Sequence, residues 1–240
     1  MAKPLLIMKT GTLPPEMIEK YGDYEMLYPH MADIPMSRIA VVYVEGGEKP
    51  EAPDAYCGVL ITGSEAMITD GSTWSEDAAA WLRDATDTGL PILGICYGHQ
   101  LLTSAFGGKV DFLADGIELG TVTLDVFPEA NEHRWLKDLP KRCGVNVIHS
   151  QSIQILPQNA RVLGRSLRES SQIVLFAPSV LGVQFHPEFD GEGMRDYLAI
   201  LAGRELSMEG LCLPLMDAAK DTPYSRSILR NFAAEALDRI

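Results

Sequence analysis

Leu90-Pro91-Ile92-Leu93-Gly94-Ile95-Cys96-Tyr97-Gly98 is the stretch on which the reading of this chain turns. It begins as an apolar run, Leu90 to Ile95, and leads into an amphipathic run, Gln100 to Phe106. That order is the pattern of a strand passing through a tight turn into a helix. The turn holds one cysteine with a glycine two positions to either side. Such an elbow forces its central residue into a crowded backbone conformation that only small neighbours permit. The central side chain is then held at the end of the strand, with the N-terminus of the following helix aimed at the sulfur. The partial positive charge of a helix N-terminus stabilises negative charge placed there. Cys96 is therefore a candidate nucleophile. The competing reading of a lone Gly-x-Cys-x-Gly is a buried packing cysteine.

A second element bears on that choice. Gly182-Val183-Gln184-Phe185-His186-Pro187-Glu188 follows another strand-like run. A histidine and a carboxylate two residues apart at a strand end can supply a base and the group that orients it. Nucleophile, base and orienter are the three parts of covalent catalysis by a triad, and they need to be close only in space. A third element is Val59-Leu60-Ile61-Thr62-Gly63-Ser64, a strand ending in a glycine turn.

Gly94 to Gln100 and Gln184 to Glu188 resemble the two signatures of the class I, triad-type glutamine amidotransferases. Val59 to Ser64 resembles the strand and turn that supply part of that family's oxyanion hole. The resemblance covers about residues 3–202 and is strongest to stand-alone, GMP-synthase-like members. It implies a flavodoxin-like α/β fold: a mostly parallel central sheet flanked by helices, with a small antiparallel section. It also implies that Cys96 attacks the side-chain amide of glutamine to give a γ-glutamyl thioester. His186 would act as acid and base, held by Glu188. Backbone N–H groups at Gly63 and Tyr97 would form the oxyanion hole, and Ser64, Gln100, Ser150, Gln151 and Ser152 would contact substrate. The resemblance calls for no cofactor and no metal.

Two departures stand out. Gly63-Ser64 replaces the Gly-Gly of many members, though the backbone N–H groups remain. His149-Ser150-Gln151 stands where related stand-alone members often have His-x-Asp, so a carboxylate near the amino-acid part of the substrate is missing. No G-x-x-x-x-G-K-[ST] phosphate loop and no Ser-Gly-Gly-x-Asp-Ser segment occurs. Ammonia released here would need a separate synthase or acceptor protein. Two other functions stay open: a hydrolase of γ-glutamyl peptides or conjugates using the same thioester, and a non-catalytic binding or regulatory protein that keeps the fold.

Composition narrows the field. The chain has 240 residues, enough for a sizeable α/β core. Its net charge of −13 argues against a nucleic-acid-binding surface, which needs basic patches. No apolar run approaches the ~20 residues that cross a membrane, and no signal peptide is evident at the N-terminus. Cys57, Cys96, Cys143 and Cys212 are widely spaced and form no C-x-x-C pair. A reducing, cytoplasmic location is the expectation.

The rest of the chain alternates. Strands are expected at Leu5 to Met8, Arg38 to Val44, Val59 to Thr62 and Pro91 to Ile95. A helix is expected from Pro15 through Tyr24, and another over Ser72 to Thr88. Strands alternating with helices imply a parallel sheet whose reactive groups gather beyond the carboxyl ends of the strands. After Gly107-Gly108 come short strand candidates at Glu118 to Phe127, Gly144 to His149, Ala160 to Leu167 and Gln172 to Ala177. They suggest an antiparallel section that delivers Val180 to Phe185 into the site. A helix resumes over Asp190 to Ile200. Residues 1–202 read as the amidotransferase-like domain, and residues 203–240 as a helical extension packed on it through Ile228, Phe232, Ala236 and Leu237.

Overall fold

A computed structural model describes residues 2–204 and 206–238. Residues 205, 239 and 240, which belong to the expected C-terminal extension, lie outside the described residues. A nine-stranded sheet runs through the molecule, built from β1 (Leu5–Lys9), β2 (Ile39–Tyr43), β3 (Gly58–Ile61), β4 (Ile92–Ile95), β6 (Glu118–Val126), β7 (Arg142–His149), β9 (Arg161–Arg165), β10 (Ile173–Ala177) and β11 (Val180–Val183). Its order is β2-β1-β3-β4-β11-β10-β9-β6-β7. The pairings from β2 to β11 are parallel; those from β11 through β10, β9 and β6 to β7 are antiparallel. The antiparallel section expected after Gly107-Gly108 thus continues the same sheet. A separate ribbon pairs β5 (Lys109–Phe112) with β8 (Gln151–Ile155).

Successive residues of a strand face opposite ways, and a sheet covered on both faces buries both sets. β1 shows this: Leu5 joins one hydrophobic cluster, while Leu6 and Met8 join the other. Helices α3 (Thr73–Asp87) and α4 (Tyr97–Ala105) cover the second cluster through Ala78, Leu82, Leu101 and Leu102. On the first face lie α1 (Pro15–Tyr21) and α2 (Tyr24–Ala32), with α7 (Pro223–Asp238) beside them. The helix expected to run from Pro15 through Tyr24 is two helices. Gly22 takes φ 77°, a left-handed value that suits glycine, and the Asp23 carboxylate then caps α2 by accepting from the Tyr24 N–H.

The C-terminal segment adds α5 (Gly191–Arg204), α6 (Leu206–Ala218) and α7. Phe232 of α7 meets Trp135 edge to face at 5.0 Å, and the Trp135 indole N–H donates to Glu235. Met194 and Leu198 of α5 share a small apolar cluster with Cys212 of α6 and Leu119 of β6. Among the described residues no helix is long and apolar enough to cross a membrane.

Candidate active site

The elbow is built by backbone constraints. Cys96 joins β4 to α4 with φ 51° and ψ −101°, a conformation an L-residue holds only when its surroundings enforce it. A Cβ on Gly94 would lie 2.5 Å from the Gly98 carbonyl oxygen, and one on Gly98 would lie 2.8 Å from Ile61. Both glycines are required by space. The Cys96 N–H donates to Val183 O at 2.9 Å and the Gly98 N–H to Thr62 O at 3.2 Å. The elbow is therefore pinned to both neighbouring strands.

β11 lies parallel to β4 with Val183 opposite Ile95, so the residues that follow each strand emerge side by side. That register brings His186 to Cys96 from 90 residues away in sequence. The His186 N–H donates to Asn146 O at 2.8 Å, and Nδ1 meets Glu188 Oε1 at 2.7 Å. The Tyr28 hydroxyl donates to the same carboxylate oxygen at 3.2 Å. With Nδ1 taken, Nε2 is the ring nitrogen left for Cys96, which acts on the charge of the imidazole. Burial opposes charge on this imidazole, but Glu188 and Cys96 outweigh it and hold its pKa well above the ordinary 6.5. The ring also lies on Phe189, 5.2 Å between centroids and 17° from parallel.

The turn after β3 is fixed by hydroxyls. The Gly63 carbonyl accepts from Thr10 Oγ1 at 3.2 Å and from Thr62 Oγ1 at 2.9 Å. A trans peptide directs its N–H opposite to its C=O, so the Ser64 N–H points away from those threonines. A Cβ on Gly63 would lie 2.9 Å from the Tyr24 hydroxyl and 3.3 Å from His186 Cε1. The Tyr97 side chain does not line the cavity. Its hydroxyl donates to Ser75 Oγ at 2.9 Å and its ring tilts against Trp74. As the first residue of α4, its N–H has no acceptor within the helix.

Cys96 and His186 line one cavity of about 290 Å³, together with Ser64, Gln100, Ser150 and Gln151. Gln100 Nε2 donates to Gln151 O and to Gln184 Oε1, both at 3.0 Å. That pairing turns the Gln184 amide so that its Nε2 faces Cys96 Sγ at 3.5 Å. Gln184 is fully buried and is a functional candidate that the sequence reading passed over, although it stands in the His186 signature. The Gln151 side chain turns back to the Ile68 N–H and to Thr69 Oγ1, bracing the loop at one wall. Ser64 Oγ accepts from the Ala66 N–H, and Ser150 Oγ lies 3.6 Å from Met67 Sδ. Ser152 does not line the cavity: one step along β8 from Gln151, it faces the other way and is buried. His149 also lines the cavity, with Nδ1 at 2.9 Å from Gln151 O and Nε2 at 2.9 Å from Glu118 Oε2. His99 is buried beneath Phe176, and burial pushes its pKa down to about 3, which keeps it neutral.

The chain belongs to the class-I glutamine amidotransferase family, whose profile matches residues 42–199. Its curated relatives include two kinds. Gamma-glutamyl peptidase 4 of Arabidopsis thaliana is 28% identical over 188 residues, which cover 76% of this chain and 75% of the peptidase. The glutamine-hydrolysing GMP synthase of Campylobacter lari is 34% identical over 134 residues, 55% of this chain but 24% of that enzyme. The chain thus spans about a quarter of that synthase. A glutamine amidotransferase from Thermotoga maritima shares the fold with a TM-score of 0.78 at 18% identity, over 99% of both chains. One from Methylobacillus flagellatus gives 0.72 at 19% identity, over 100% of this chain and 94% of the other.

Proposed function

We propose that the chain hydrolyses a γ-glutamyl amide through a thioester on Cys96, with the side-chain amide of glutamine as the leading substrate. The observation that carries this is the junction itself: Cys96 in a strained elbow, facing an imidazole that Glu188 holds from behind at 2.7 Å. The Cys96 sulfur adds to the amide carbon. The developing oxyanion is met by N–H groups at the Gly63–Ser64 turn and at Tyr97; one such donor is typically worth ~10²–10³ in rate. Protonated His186 gives its proton to the departing nitrogen, the C–N bond breaks, and ammonia or an amine leaves. Neutral His186 then takes a proton from water, the hydroxide opens the thioester, and glutamate is released. Glu188 holds the imidazole and stabilises its charged form.

Ammonia made this way would pass to an acceptor enzyme, a reading supported by the similarity to a glutamine-hydrolysing GMP synthase. A reducing compartment keeps a thiol nucleophile from forming disulfides, which fits a cytoplasmic location. We treat residues 203–240 as part of the same folded unit, supported by the contact of α7 with Trp135. A second reading, hydrolysis of γ-glutamyl peptides or conjugates, is favoured by the even coverage of the peptidase relative. The test is glutamate release from the purified chain, with glutamine and a γ-glutamyl dipeptide supplied separately and Cys96→Ala as control. Release from either that vanishes in Cys96→Ala supports the chemistry, and the faster substrate chooses between the readings. Equal release by Cys96→Ala would overturn it.

A further inference from the structure

Two walls of residues line the cavity around Cys96. On one side the sulfur lies 3.5 Å from Ile148 O, and Gln100, Ser150 and Gln151 continue that wall. On the other stands α5. Tyr197, Leu201 and Arg204 follow one another at i, i+4 and i+7, which places them on one stripe of the helix, and all three line the cavity. His186 connects to this second wall: its ring lies on Phe189, and Phe189 meets Tyr197 at 5.9 Å. The departing nitrogen must sit at His186. Whatever is bonded to that nitrogen then lies on the side of the lining that α5 supplies.

Ammonia would leave this wall unused. Tyr197 and Leu201 give this wall apolar surface, and a cation follows at Arg204, about two helical turns beyond Tyr197. Among the lining residues only Arg204 and Glu65 carry a formal charge besides the histidines. Their contact is long, 3.8 Å, and Arg204 bonds Glu16 through its other terminal nitrogen at 2.9 Å. A guanidinium carries five N–H donors, so a carboxylate can still be received. Burial raises the Tyr197 pKa, the charges of Glu65 and Cys96 raise it further, and Arg204 pulls it down. The tyrosine lies within electrostatic reach of the sulfur and of the cation alike. Arg204 also falls beyond the residues that match the family profile, 42–199.

Resting on the hydrolytic reading above, we propose that Tyr197, Leu201 and Arg204 form a leaving-group subsite for the amino acid of a γ-glutamyl dipeptide, with Arg204 receiving its carboxylate. The reaction is then dipeptide plus water giving glutamate and a free amino acid. The C–N bond of the γ-amide breaks, and its nitrogen takes the proton from His186.

The test is equilibrium binding by titration calorimetry to Cys96→Ala, which holds substrate without consuming it. The probes are γ-glutamyl-leucine and γ-glutamyl-isoamylamide, the same compound without the leaving-group carboxylate. The dipeptide is expected to bind about 10- to 100-fold tighter, the size of a charge-assisted pair formed in place of water. Adding Arg204→Met should erase that gap, and adding Glu16→Gln, which removes only the ion pair, should preserve or widen it. Equal affinity for the two probes, a gap that survives Arg204→Met, or no binding of either would overturn the subsite. Glutamate release by the wild-type chain is read separately. Release from glutamine with no affinity gap sinks the subsite and leaves the hydrolytic reading standing. No release from any γ-glutamyl amide sinks that reading.

Discussion

Two buried histidine–carboxylate pairs face the same cavity, and they differ in what is left over. His186 and Glu188 meet at 2.7 Å, His149 and Glu118 at 2.9 Å. His149 spends both ring nitrogens on the protein, one on Glu118 and one on Gln151 O. Glu118 is likewise saturated, accepting from Ser166 Oγ at 2.7 Å and from Gln172 Nε2 at 3.1 Å. His186 spends one nitrogen on Glu188 and presents the other to Cys96, and Glu188 Oε2 has no hydrogen-bond partner. A pair with every valence committed can brace a wall. A pair with one ring nitrogen open toward a sulfur can move a proton.

The largest effect is expected where the open pair meets the sulfur. Cys96→Ala and His186→Ala should each lower kcat/KM by at least ~10⁴-fold, and the double variant should lose little more, because triad members act as a unit. Steady-state glutamate release measures this; additive losses would mean that the two side chains act in separate steps.

Glu188→Gln should cost about 10²- to 10⁴-fold and change the pH profile. Burial pulls the His186 pKa down, and Glu188 is the largest contribution that pushes it up. The imidazolium's contribution is fully present below about 6.5 and is lost as pH rises through the raised value. Activity that depends on it should therefore fall on the alkaline side, and Glu188→Gln should move that limb to lower pH. An unmoved limb would assign it to another group.

Gln184→Leu sharpens the comparison from the far side of the sulfur. It removes the N–H that faces Cys96 Sγ while filling similar space. Alkylation of Cys96 by iodoacetamide at fixed neutral pH, and kcat/KM with it, should slow by about 10-fold. Cys143, whose buried thiol is pushed up to about 11, serves as the slow internal control. Unchanged alkylation would make Gln184 a packing residue.

Glu118→Gln should have the smallest effect on turnover, within ~3-fold per folded molecule, and a large one on stability. Breaking a buried pair costs about 3–5 kcal/mol, read as a lower Tm. Burial pushes the Glu118 carboxyl up, but His149 and Ser166 outweigh it and hold its pKa below 4.5. That contribution is present above about 4.5 and is lost as pH falls through the lowered value, the opposite direction to His186. A loss of activity as deep as that of Glu188→Gln would erase the distinction between the pairs.

The same contrast explains what the sequence made legible. His186 and Glu188 are two residues apart beside a strand, and the elbow declares itself through glycines two positions from Cys96. Glu118 and His149 are 31 residues apart and meet only because the β6–β7 register sets them opposite each other. Gln184 was in view as a letter of the motif, but its hydrogen bonds to Cys96 and Gln100 cross between elements. The strands of the main sheet were readable from apolar runs, but β5 and β8, which pair only with each other, were not. α2 was not, because Tyr24 continues the apolar spacing of α1 across Gly22. α6 was not either, with Pro214 inside it. Ser152 was placed at the substrate with its neighbours because a one-residue step along a strand reverses the face, and the position of β8 is set by its pairing with β5.

Acid-quenched mass spectrometry of the chain mixed with glutamine, and separately with γ-glutamyl-leucine, tests the central claim most directly. A transient mass gain of one glutamyl group, mapped to the peptide that carries Cys96 and absent from Cys96→Ala, is the expected result. Glutamate release at full rate with no acyl group on Cys96 at any time, and undiminished in Cys96→Ala, would contradict it.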